Sequence, residues 1–273
     1  MTTKTYCKSF SEGEFLVCSL AKLVENGRFY WVAGARSPLY AVIIARRLYA
    51  PEAHYITEDG VIDPEPAIPF DHPFMGMMTS RSGYRAVAWW TMNWAGFLAS
   101  LGYMDYGILN TVQVDPYGNV NSTHLGGNCR EFERRFGGPG GADAIAGLCR
   151  RLVLAFPHEK RRFVPRVDFI SSPGYLDGPG ARERWGMPRD SGPWRVVTTK
   201  ATFDFEAESR RMRLIAVAPW ATKEDVLSEM GFEPLVAEKV QTMELPTEEE
   251  LTILRTELDV WGLTQQEGRW IQF

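Results

Sequence analysis

The amino-acid sequence predicts an α/β protein with an open, mostly parallel sheet flanked by helices. Helical and strand-like segments alternate from the start of the chain, an order typical of a parallel sheet. The strand candidates are short runs of β-branched and aromatic residues that end at glycine, proline or acidic turns. Neither a repeat nor a shift in composition marks a linker in the 273 residues. We therefore predict one domain over residues 1–273, with a helical tail over about 221–273.

The individual elements follow from their end signals. Ser11 and Glu14 have the spacing of a capping box and predict a helix that continues to residue 24. Ser37 followed by Pro38 predicts the start of a second helix, because proline is favoured at the first helical position. The remaining predicted elements are strands over 29–33, 54–57, 107–114, 152–156, 167–170, 195–199 and 212–217, and helices over 84–101, over 142–150, after Thr222 and after Thr247.

The composition excludes several classes of protein. Hydrophobic residues make up 45% and charged residues 23%, which is typical of a soluble globular protein. The net charge of -4 argues against a nucleic-acid partner, and the apolar runs are too short for a membrane span. The N-terminus lacks the apolar segment of a signal peptide. The four cysteines form no CxxC pair and the four histidines lack zinc-site spacing. We therefore expect a cytoplasmic protein without a metal site.

The sequence Glu58-Asp59-Gly60 is the first candidate for chemistry, because it follows a predicted buried strand. Ligands of open α/β sheets bind at the carboxyl ends of the parallel strands, and a carboxylate there can act as a base or a nucleophile. The glycine allows a tight turn and close approach of a substrate. The alternative is a solvated acidic turn without a catalytic role, which the local pattern alone favours.

Three further features have both a functional and a structural interpretation. The glycine-rich loop over 136–141 precedes a helix and is able to bind an anion, but it lacks a P-loop lysine, so a plain connection is favoured. The run over 158–162 has cations for a phosphate, although a solvated segment or a subunit contact is more common. Trp89, Trp90 and Trp94 either line a pocket or belong to the core or an interface, and we favour the second interpretation.

Several segments together resemble one family. Residues 113–123, QVDPYGNVNST, are similar to the QxDxYGNxNST signature of the β subunits of class I CoA-transferases. HEKRRF at 158–163, SPGYLDGPG at 172–180, GPGGA at 138–142 and Tyr-Ala-Pro at 49–51 resemble the same subunits. The resemblance extends from about residue 15 to about residue 260, and it is strongest to the glutaconate CoA-transferase branch of the family.

The resemblance implies a mechanism as well as a fold. It implies that Glu58 attacks an acyl-CoA, forms a mixed anhydride and then a glutamyl-CoA thioester, with ping-pong kinetics. Coenzyme A and acyl-CoA are then substrates, with a carboxylic acid as acceptor, and no cofactor is bound permanently. The resemblance also implies a homologous α subunit, in a heterotetramer or larger assembly, without which we expect the chain to be inactive. Backbone N–H groups near Gly34 and Gly60 are candidates for stabilising the oxyanion.

The predicted site departs from the family pattern at two places. Arg36 stands where the family usually has a glycine after the first strand, and Asn110-Thr111-Val112 replaces a glycine-rich segment. Arg36 either pairs with a free carboxylate on the acyl group or turns outward into solvent. Besides the catalytic Glu58, the predicted substrate-binding and CoA-binding residues are Gly34, Arg36, Asp59, Gly60, Asn110, Gln113, Gly138, Gly140 and Gly141.

Two other functions stay open. The same scaffold is similar to that of CoA-thioester hydrolases that open a ring, and of a decarboxylase, and those relatives look to lack the glutamate. The presence of Glu58 therefore favours transfer. The third possibility is a ligand-sensing domain without enzymatic activity, against which the absence of a helix-turn-helix extension and of a basic patch counts.

Overall fold

The computed structural model describes residues 4–32, 36–65, 85–128 and 130–265. These residues divide into two compact units. The first unit comprises the chain up to residue 98 together with the chain from residue 244, and the second comprises 99–243. Within the described ranges, no helix is long and apolar enough to cross a membrane.

The helices in chain order are α1 (Glu12–Ala21), α2 (Arg36–Leu48), α3 (Met92–Ser100), α4 (Ala142–Leu148), α5 (Ala181–Arg184), α6 (Lys223–Ser228) and α7 (Glu248–Ile253). The strands are β1 (Phe29–Val32), β2 (His54–Thr57), β3 (Val61–Ile62), β4 (Ala88–Trp89), β5 (Tyr106–Leu109), β6 (Gln113–Val114), β7 (Val120–Asn121), β8 (His124–Leu125), β9 (Arg134–Arg135), β10 (Arg151–Phe156), β11 (Gly192–Thr198), β12 (Ala201–Phe205), β13 (Met212–Val217) and β14 (Leu235–Thr242).

The first unit contains a sheet with the strand order β1-β2-β3-β4. β1 and β2 are parallel, whereas β3 and β4 add in antiparallel fashion. Helix α1 begins as predicted, because the Ser11 hydroxyl accepts from the Glu14 amide and the Glu14 carboxylate accepts from the Ser11 amide. The apolar side chains of α1 and α2 are buried and form much of the core of this unit.

The second unit contains a sheet with the strand order β14-β13-β12-β11-β10-β5. β5, β10 and β11 are parallel, as the α/β prediction requires, and β12 and β13 add as antiparallel strands. The outermost strand, β14, is parallel to β13. Two short antiparallel hairpins, β6–β7 and β8–β9, lie outside this sheet.

Several predicted element boundaries are wrong. Residues 88–89 form β4, so the helix predicted over 84–101 begins only at Met92; Trp89 pairs with Val61 in the sheet. The strand predicted over 107–114 is two strands, β5 and β6. Residues 167–170 form no strand, because the Asp168 amide donates to the side chain of Gln113 rather than to a neighbouring strand.

The C-terminal segment differs from the predicted helical tail. Thr222 and Thr247 cap α6 and α7 as predicted, each with a complete capping box. Between these helices lies β14, an eight-residue strand that the sequence pattern does not predict, and β12 is also absent from the prediction. The prediction of a single domain with a tail stays a prediction.

Candidate functional site

Glu58 lies directly after β2, at the carboxyl end of a strand that is buried and parallel to β1. Its side chain is half-buried, so part of the carboxyl group's surroundings is protein and part is solvent. Residues 57–60 form a tight turn in which the Gly60 amide donates to the Thr57 carbonyl oxygen at 3.0 Å. The fold thus places the predicted nucleophile at the sheet edge where α/β proteins bind ligands.

Asp59, the neighbouring carboxylate, has a different environment from Glu58. It is 5% exposed, and the fully buried hydroxyl of Thr57 donates to its Oδ1. The same hydroxyl accepts from the Val61 amide at 3.2 Å. Asp59 is therefore hydrogen-bonded within the turn between β2 and β3, and its assignment as a substrate-binding residue stays a prediction.

Gly60 is required by its surroundings. Its φ of +89° lies in the region that favours glycine, and a β-carbon there would be 2.4 Å from the Thr91 carbonyl oxygen. Its carbonyl oxygen accepts from the Trp90 amide at 3.0 Å. Because the Gly60 amide is engaged by Thr57 within the turn, it is a poor candidate for the oxyanion donor that we predicted.

Two predicted residues of this unit fall outside the described part of the chain. Gly34 is not described at all. Arg36 is described only by its backbone, which begins α2, and its side chain is not described. The prediction that Arg36 pairs with a carboxylate of the acyl group therefore stays a prediction.

Asn110 and Gln113 lie on the connection between β5 and β6 in the second unit. Asn110 is half-buried, and its Oδ1 accepts from the Thr111 amide at 2.6 Å. Gln113 is 7% exposed, and its Oε1 accepts from Asn121 at 2.7 Å while its Nε2 donates to Asp168 at 3.1 Å. Gln113 thus joins three segments of the unit, and a further bond to a ligand would compete with these contacts.

The QVDPYGNVNST segment forms the hairpin β6–β7 and its turn. Asp115 accepts from the amides of Tyr117 and Asn119, and from the Asn119 side chain at 2.9 Å. Asn119 Oδ1 accepts from the amides of Gly174 and Leu176, which belong to the SPGYLDGPG segment. Two segments that resemble the same family are therefore hydrogen-bonded to each other. This role of Asn119 was not predicted, although its place within the motif was a signal.

The glycine-rich loop connects β9 to α4. Gly138 and Gly140 have positive φ values of 90° and 55°, and Gly141 precedes the first residue of α4 without a side-chain cap. The Gly138 amide donates to the Ser122 carbonyl oxygen at 3.0 Å. The structure therefore brings this loop against the end of the hairpin motif, within the same unit as Asn110 and Gln113.

His158, the first residue of the HEKRRF segment, belongs to the core. The ring is buried between Phe163 and Phe203, Nε2 is 3.0 Å from the Val226 carbonyl oxygen, and burial lowers the pKa of the imidazole. Arg162 is also buried, and donates to the Thr111 carbonyl oxygen and to Glu159. Among the cations of the run, Lys160 and Arg161 are exposed. Their exposure is compatible with a solvated segment, a subunit contact or a phosphate site, whereas Arg162 is bonded within the unit.

Residues 19–229 match the family described as Coenzyme A transferase, which covers more than half of the chain. The chain belongs to the coenzyme A transferase family. The B subunit of glutaconate CoA-transferase from Acidaminococcus fermentans is 35% identical over 257 residues, which are 92% of this chain and 93% of that protein. The crystal structure of glutaconate coenzyme A-transferase from the same organism matches with a TM-score of 0.81 at 33% identity, over 98% of this chain and 99% of the matched chain.

Two more relatives broaden the comparison within the coenzyme A transferase family. The B subunit of 3-oxoadipate CoA-transferase from Pseudomonas knackmussii is 29% identical and covers 90% of this chain and 93% of that protein. The cholesterol ring-cleaving hydrolase IpdB subunit of Mycobacterium tuberculosis is 30% identical, but only over 59% of this chain and 63% of that protein. The similarity to the two transferase subunits thus covers more of the chain than the similarity to this hydrolase subunit.

The family match and the curated relatives confirm the predicted family and the CoA-transferase class of enzyme. The matched crystal structure confirms the predicted open α/β sheet flanked by helices. It also makes coenzyme A the expected partner of the site. The residue assignments from Glu58 to Gly141 stay predictions. Among the described residues, no group of three histidine, cysteine, aspartate or glutamate side chains is placed to hold a metal ion.

The tryptophan cluster of this coenzyme A transferase family member is not in the core. Trp89, Trp90 and Trp94 are 46%, 37% and 43% exposed, and Phe97 is 49% exposed. The core interpretation is therefore wrong, and the pocket and interface interpretations stay open. Trp90 lies next to the Glu58 turn, because its amide donates to the Gly60 carbonyl oxygen.

Proposed function

We propose that the chain is one subunit of a two-subunit CoA-transferase, which moves CoA from an acyl-CoA to a carboxylic acid through a glutamyl-CoA thioester on Glu58. The observation that carries this proposal is the position of a half-buried glutamate at the carboxyl end of β2 in a chain of this family. Support also comes from the two relatives that are B subunits of CoA-transferases.

In the first half-reaction, a carboxylate oxygen of Glu58 attacks the thioester carbonyl carbon. The carbon–sulfur bond breaks, which leaves a mixed anhydride between Glu58 and the acyl group, and CoA departs as the thiolate. The thiolate then attacks the Glu58 carbonyl carbon of the anhydride. The acyl group leaves as a carboxylate, and Glu58 becomes the γ-glutamyl-CoA thioester.

In the second half-reaction, the acceptor carboxylate attacks the Glu58 carbonyl carbon of that thioester and releases the CoA thiolate. The thiolate attacks the acceptor carbonyl carbon of the new anhydride, which forms the product acyl-CoA and regenerates the Glu58 carboxylate. No proton, oxidant or metal enters the balance of either half. The chain's own task is thus to hold Glu58 close to the carbonyl carbon and to limit its hydration.

The environment of Glu58 suits this task. The turn that carries it is fixed by the Thr57 hydroxyl, by buried Asp59 and by the close contact of Gly60 with the segment that leads into α3. Asp59 is buried and bonded within the turn whereas Glu58 is half-buried, which supports Glu58 as the carboxylate of the pair that meets the substrate.

The thioester intermediate provides the test. The assembled enzyme is incubated with acyl-CoA in the absence of an acceptor, treated with borohydride, and analysed by peptide mass spectrometry. We expect borohydride to reduce a thioester at Glu58 in the wild type, and no reduced residue at position 58 in Glu58→Gln. Glu249→Gln is the control, because Glu249 is an exposed residue of α7, and this variant should be labelled at Glu58 like the wild type. An unmodified Glu58 in a preparation that turns over would refute the mechanism.

The ring-opening hydrolase or decarboxylase is the second candidate, and the similarity to the IpdB subunit favours it. It differs in one requirement, since a hydrolase or decarboxylase forms product without an acceptor acid. Product formation from acyl-CoA in water alone, unchanged in Glu58→Gln, would replace the transferase proposal with this one.

We further propose that the partner is a homologous α subunit in a heterotetramer or larger assembly, and that the enzyme works in the cytoplasm. The first point is supported by the two transferase relatives, each of which is one subunit of a larger enzyme. The free thiols of Cys7, Cys18 and Cys149 support the second, because disulfides are favoured outside the cytoplasm.

A further inference from the structure

The segment that runs from β4 into helix α3 presents its large apolar side chains outward. Trp89, Trp90, Met92, Trp94 and Phe97 are each between 37% and 50% exposed, and we call these five residues the α3 aromatic face. The rings of Trp90 and Trp94 are 5.0 Å apart, and those of Trp94 and Phe97 are 5.2 Å apart, so three of them form one contiguous row.

The inward side of α3 carries small residues instead. Ala95 and Ala99 are buried, and a β-carbon on half-buried Gly96 would be in ordinary contact with the Trp31 ring, at 3.9 Å. An ordinary surface helix buries its large apolar residues and exposes polar ones. The opposite distribution in α3 indicates that the aromatic face is made for a contact outside this chain.

The spacing of the aromatic residues and the absence of charged residues around them indicate what kind of partner fits the α3 aromatic face. Trp94 and Phe97 stand three residues apart on one face of α3, a spacing at which helical residues pack against another helix, and Trp90 lies two residues before the helix and extends their row. No aspartate, glutamate, lysine, arginine or histidine occurs between Arg85 and Asp105. A partner that complements this surface is therefore an apolar helix without a charge requirement.

The size of the face fits a subunit interface. An aromatic side chain offers about 150–250 Å², so five side chains that are nearly half exposed present on the order of 500 Å². That is at the upper limit of the patches found on monomers, and more than half of the roughly 800 Å² that each partner contributes to a standard interface.

The face is also continuous with the candidate catalytic turn. Trp89 pairs with Val61 in the sheet, and the Trp90 amide donates to the carbonyl oxygen of Gly60, two residues after Glu58. A chain that docks on the face therefore borders the turn that holds Glu58, which is half-buried in this chain alone.

We propose that the α3 aromatic face is the docking surface for the homologous second subunit, which lays an apolar helix on it and covers the Glu58 turn. This inference rests on the proposed function. Covering the turn removes water from the carboxylate, which raises its reactivity toward the thioester, and it explains why the single chain is expected to be inactive. The site is incomplete until the second subunit docks.

The test measures association of the purified chain with the candidate second subunit, a homologous coenzyme A transferase chain from the same organism. We expect the double variant Trp94→Glu/Phe97→Glu to weaken association by about 100-fold or more, because charges would enter an apolar interface. Trp185→Glu is the matched control, since Trp185 is 76% exposed and lies in the other unit, and its affinity should stay within about twofold of wild type. Both substituted residues of the double variant are exposed, so the melting temperature of the single chain should not fall.

Hydrogen exchange of the unmodified protein gives a second measurement that does not depend on the variant. Exchange of the α3 amides should slow on adding the second chain. Wild-type association with unchanged α3 exchange, or undiminished association of the double variant, would overturn the docking surface while leaving the transferase mechanism intact.

Other occupants of the face have distinct outcomes. A concentration-dependent dimer of the single chain that the double variant abolishes would assign the face to a second copy and overturn the proposal. Binding of the single chain to phosphatidylethanolamine–phosphatidylglycerol vesicles, lost in the double variant, would assign it to a lipid surface instead. Borohydride labelling of Glu58 in a chain that turns over without any partner would refute the two-subunit part of the proposed function.

Discussion

Gly60 and Thr91 approach each other so closely that no side chain fits between them. A β-carbon on Gly60 would lie 2.4 Å from the Thr91 carbonyl oxygen, and the φ of Gly60 is +89°. Real β-carbons do not make contacts of that length with backbone, so the two segments can meet only at a glycine. The contact joins the Glu58 turn to the start of α3.

Gly60→Ala is therefore expected to destabilise the protein by about 2–4 kcal/mol, from the left-handed backbone and the clash together, and to abolish labelling at Glu58. Gly27→Ala isolates the backbone contribution, because Gly27 has a φ of +69° and no atoms within 4 Å of its β-carbon position. We expect a loss of about 1–2 kcal/mol there, measured by urea unfolding. Equal losses of unfolding free energy in Gly60→Ala and Gly27→Ala would show that the contact with Thr91 does not exclude a side chain at residue 60.

The parts of the fold that could be predicted are those with local signals. The capping box of Ser11 and Glu14 and the bounds of β2 agree with the prediction, because capping and a short apolar run are encoded in adjacent residues. The position of Glu58 after β2 follows from the same local signals, but its catalytic role is predicted only from the family resemblance and stays a prediction.

The remaining errors depend on contacts between distant residues. The backbone of Asp168 is bonded by the Gln113 side chain, 55 residues away, so a run with strand-like composition forms no strand. Alternation along β14 leaves no buried residue, so its apolar pattern is weak. For the tryptophan cluster, spacing alone cannot separate a core from an interface, because it does not say which helix face turns inward.

Arg255 and Glu14 join the C-terminal segment to the first helix. Glu14 is 1% exposed; burial by itself raises the pKa of its carboxyl, but the bonds from Arg255 and from the Ser11 amide hold it below its ordinary value of 4.5. Arg255→Ala leaves this carboxylate buried without its cation, so we expect a loss of about 2–4 kcal/mol in the free energy of unfolding at pH 7.

The pair's contribution is present above pH 4.5 and is lost as the pH falls through the lower pKa of the folded state. The effect of Arg255→Ala should therefore shrink in acid. Arg28→Ala is the control, because its pair with Glu25 is exposed and 3.6 Å long, and it should change stability by less than about 0.5 kcal/mol. A constant effect of Arg255→Ala from pH 7 to pH 3 would contradict the ion-pair explanation.

Asn119 connects the hairpin motif to the 172–180 segment through Asp115, Gly174 and Leu176. Asn119→Ala would remove the amide donor from a buried carboxylate and leave two backbone N–H groups unbonded. We expect a loss of about 3 kcal/mol or more, because each buried unsatisfied group costs about 1–3 kcal/mol. Asn128→Ala, at an exposed turn residue, should cost less than about 1 kcal/mol in the same unfolding assay. Similar losses of unfolding free energy in the two variants would show that the hydrogen bonds of Asn119 do not stabilise the protein more than those of an exposed turn residue.

His158 links β11 to α6 in its neutral form. Burial lowers the pKa of the imidazole from its ordinary 6.5, and the ring lies within hydrogen-bond distance of the Thr198 hydroxyl and the Val226 carbonyl oxygen. In the unfolded chain the imidazole of His158 binds a proton as the pH falls through 6.5, whereas in the folded chain it binds the proton only at a lower pH. The stability contributed by neutral His158 is thus complete above pH 6.5 and is lost as the pH falls through the folded pKa.

His158→Gln should lower the free energy of unfolding by about 1–3 kcal/mol at pH 7.5, because the amide replaces the ring's contacts only in part. The same variant removes the titrating group, so its stability should fall less steeply than that of the wild type between pH 7.5 and pH 5.5. Urea unfolding at several pH values measures both quantities. The two curves should converge toward acid pH, and parallel curves over this range would show that His158 is not a source of acid sensitivity in this fold.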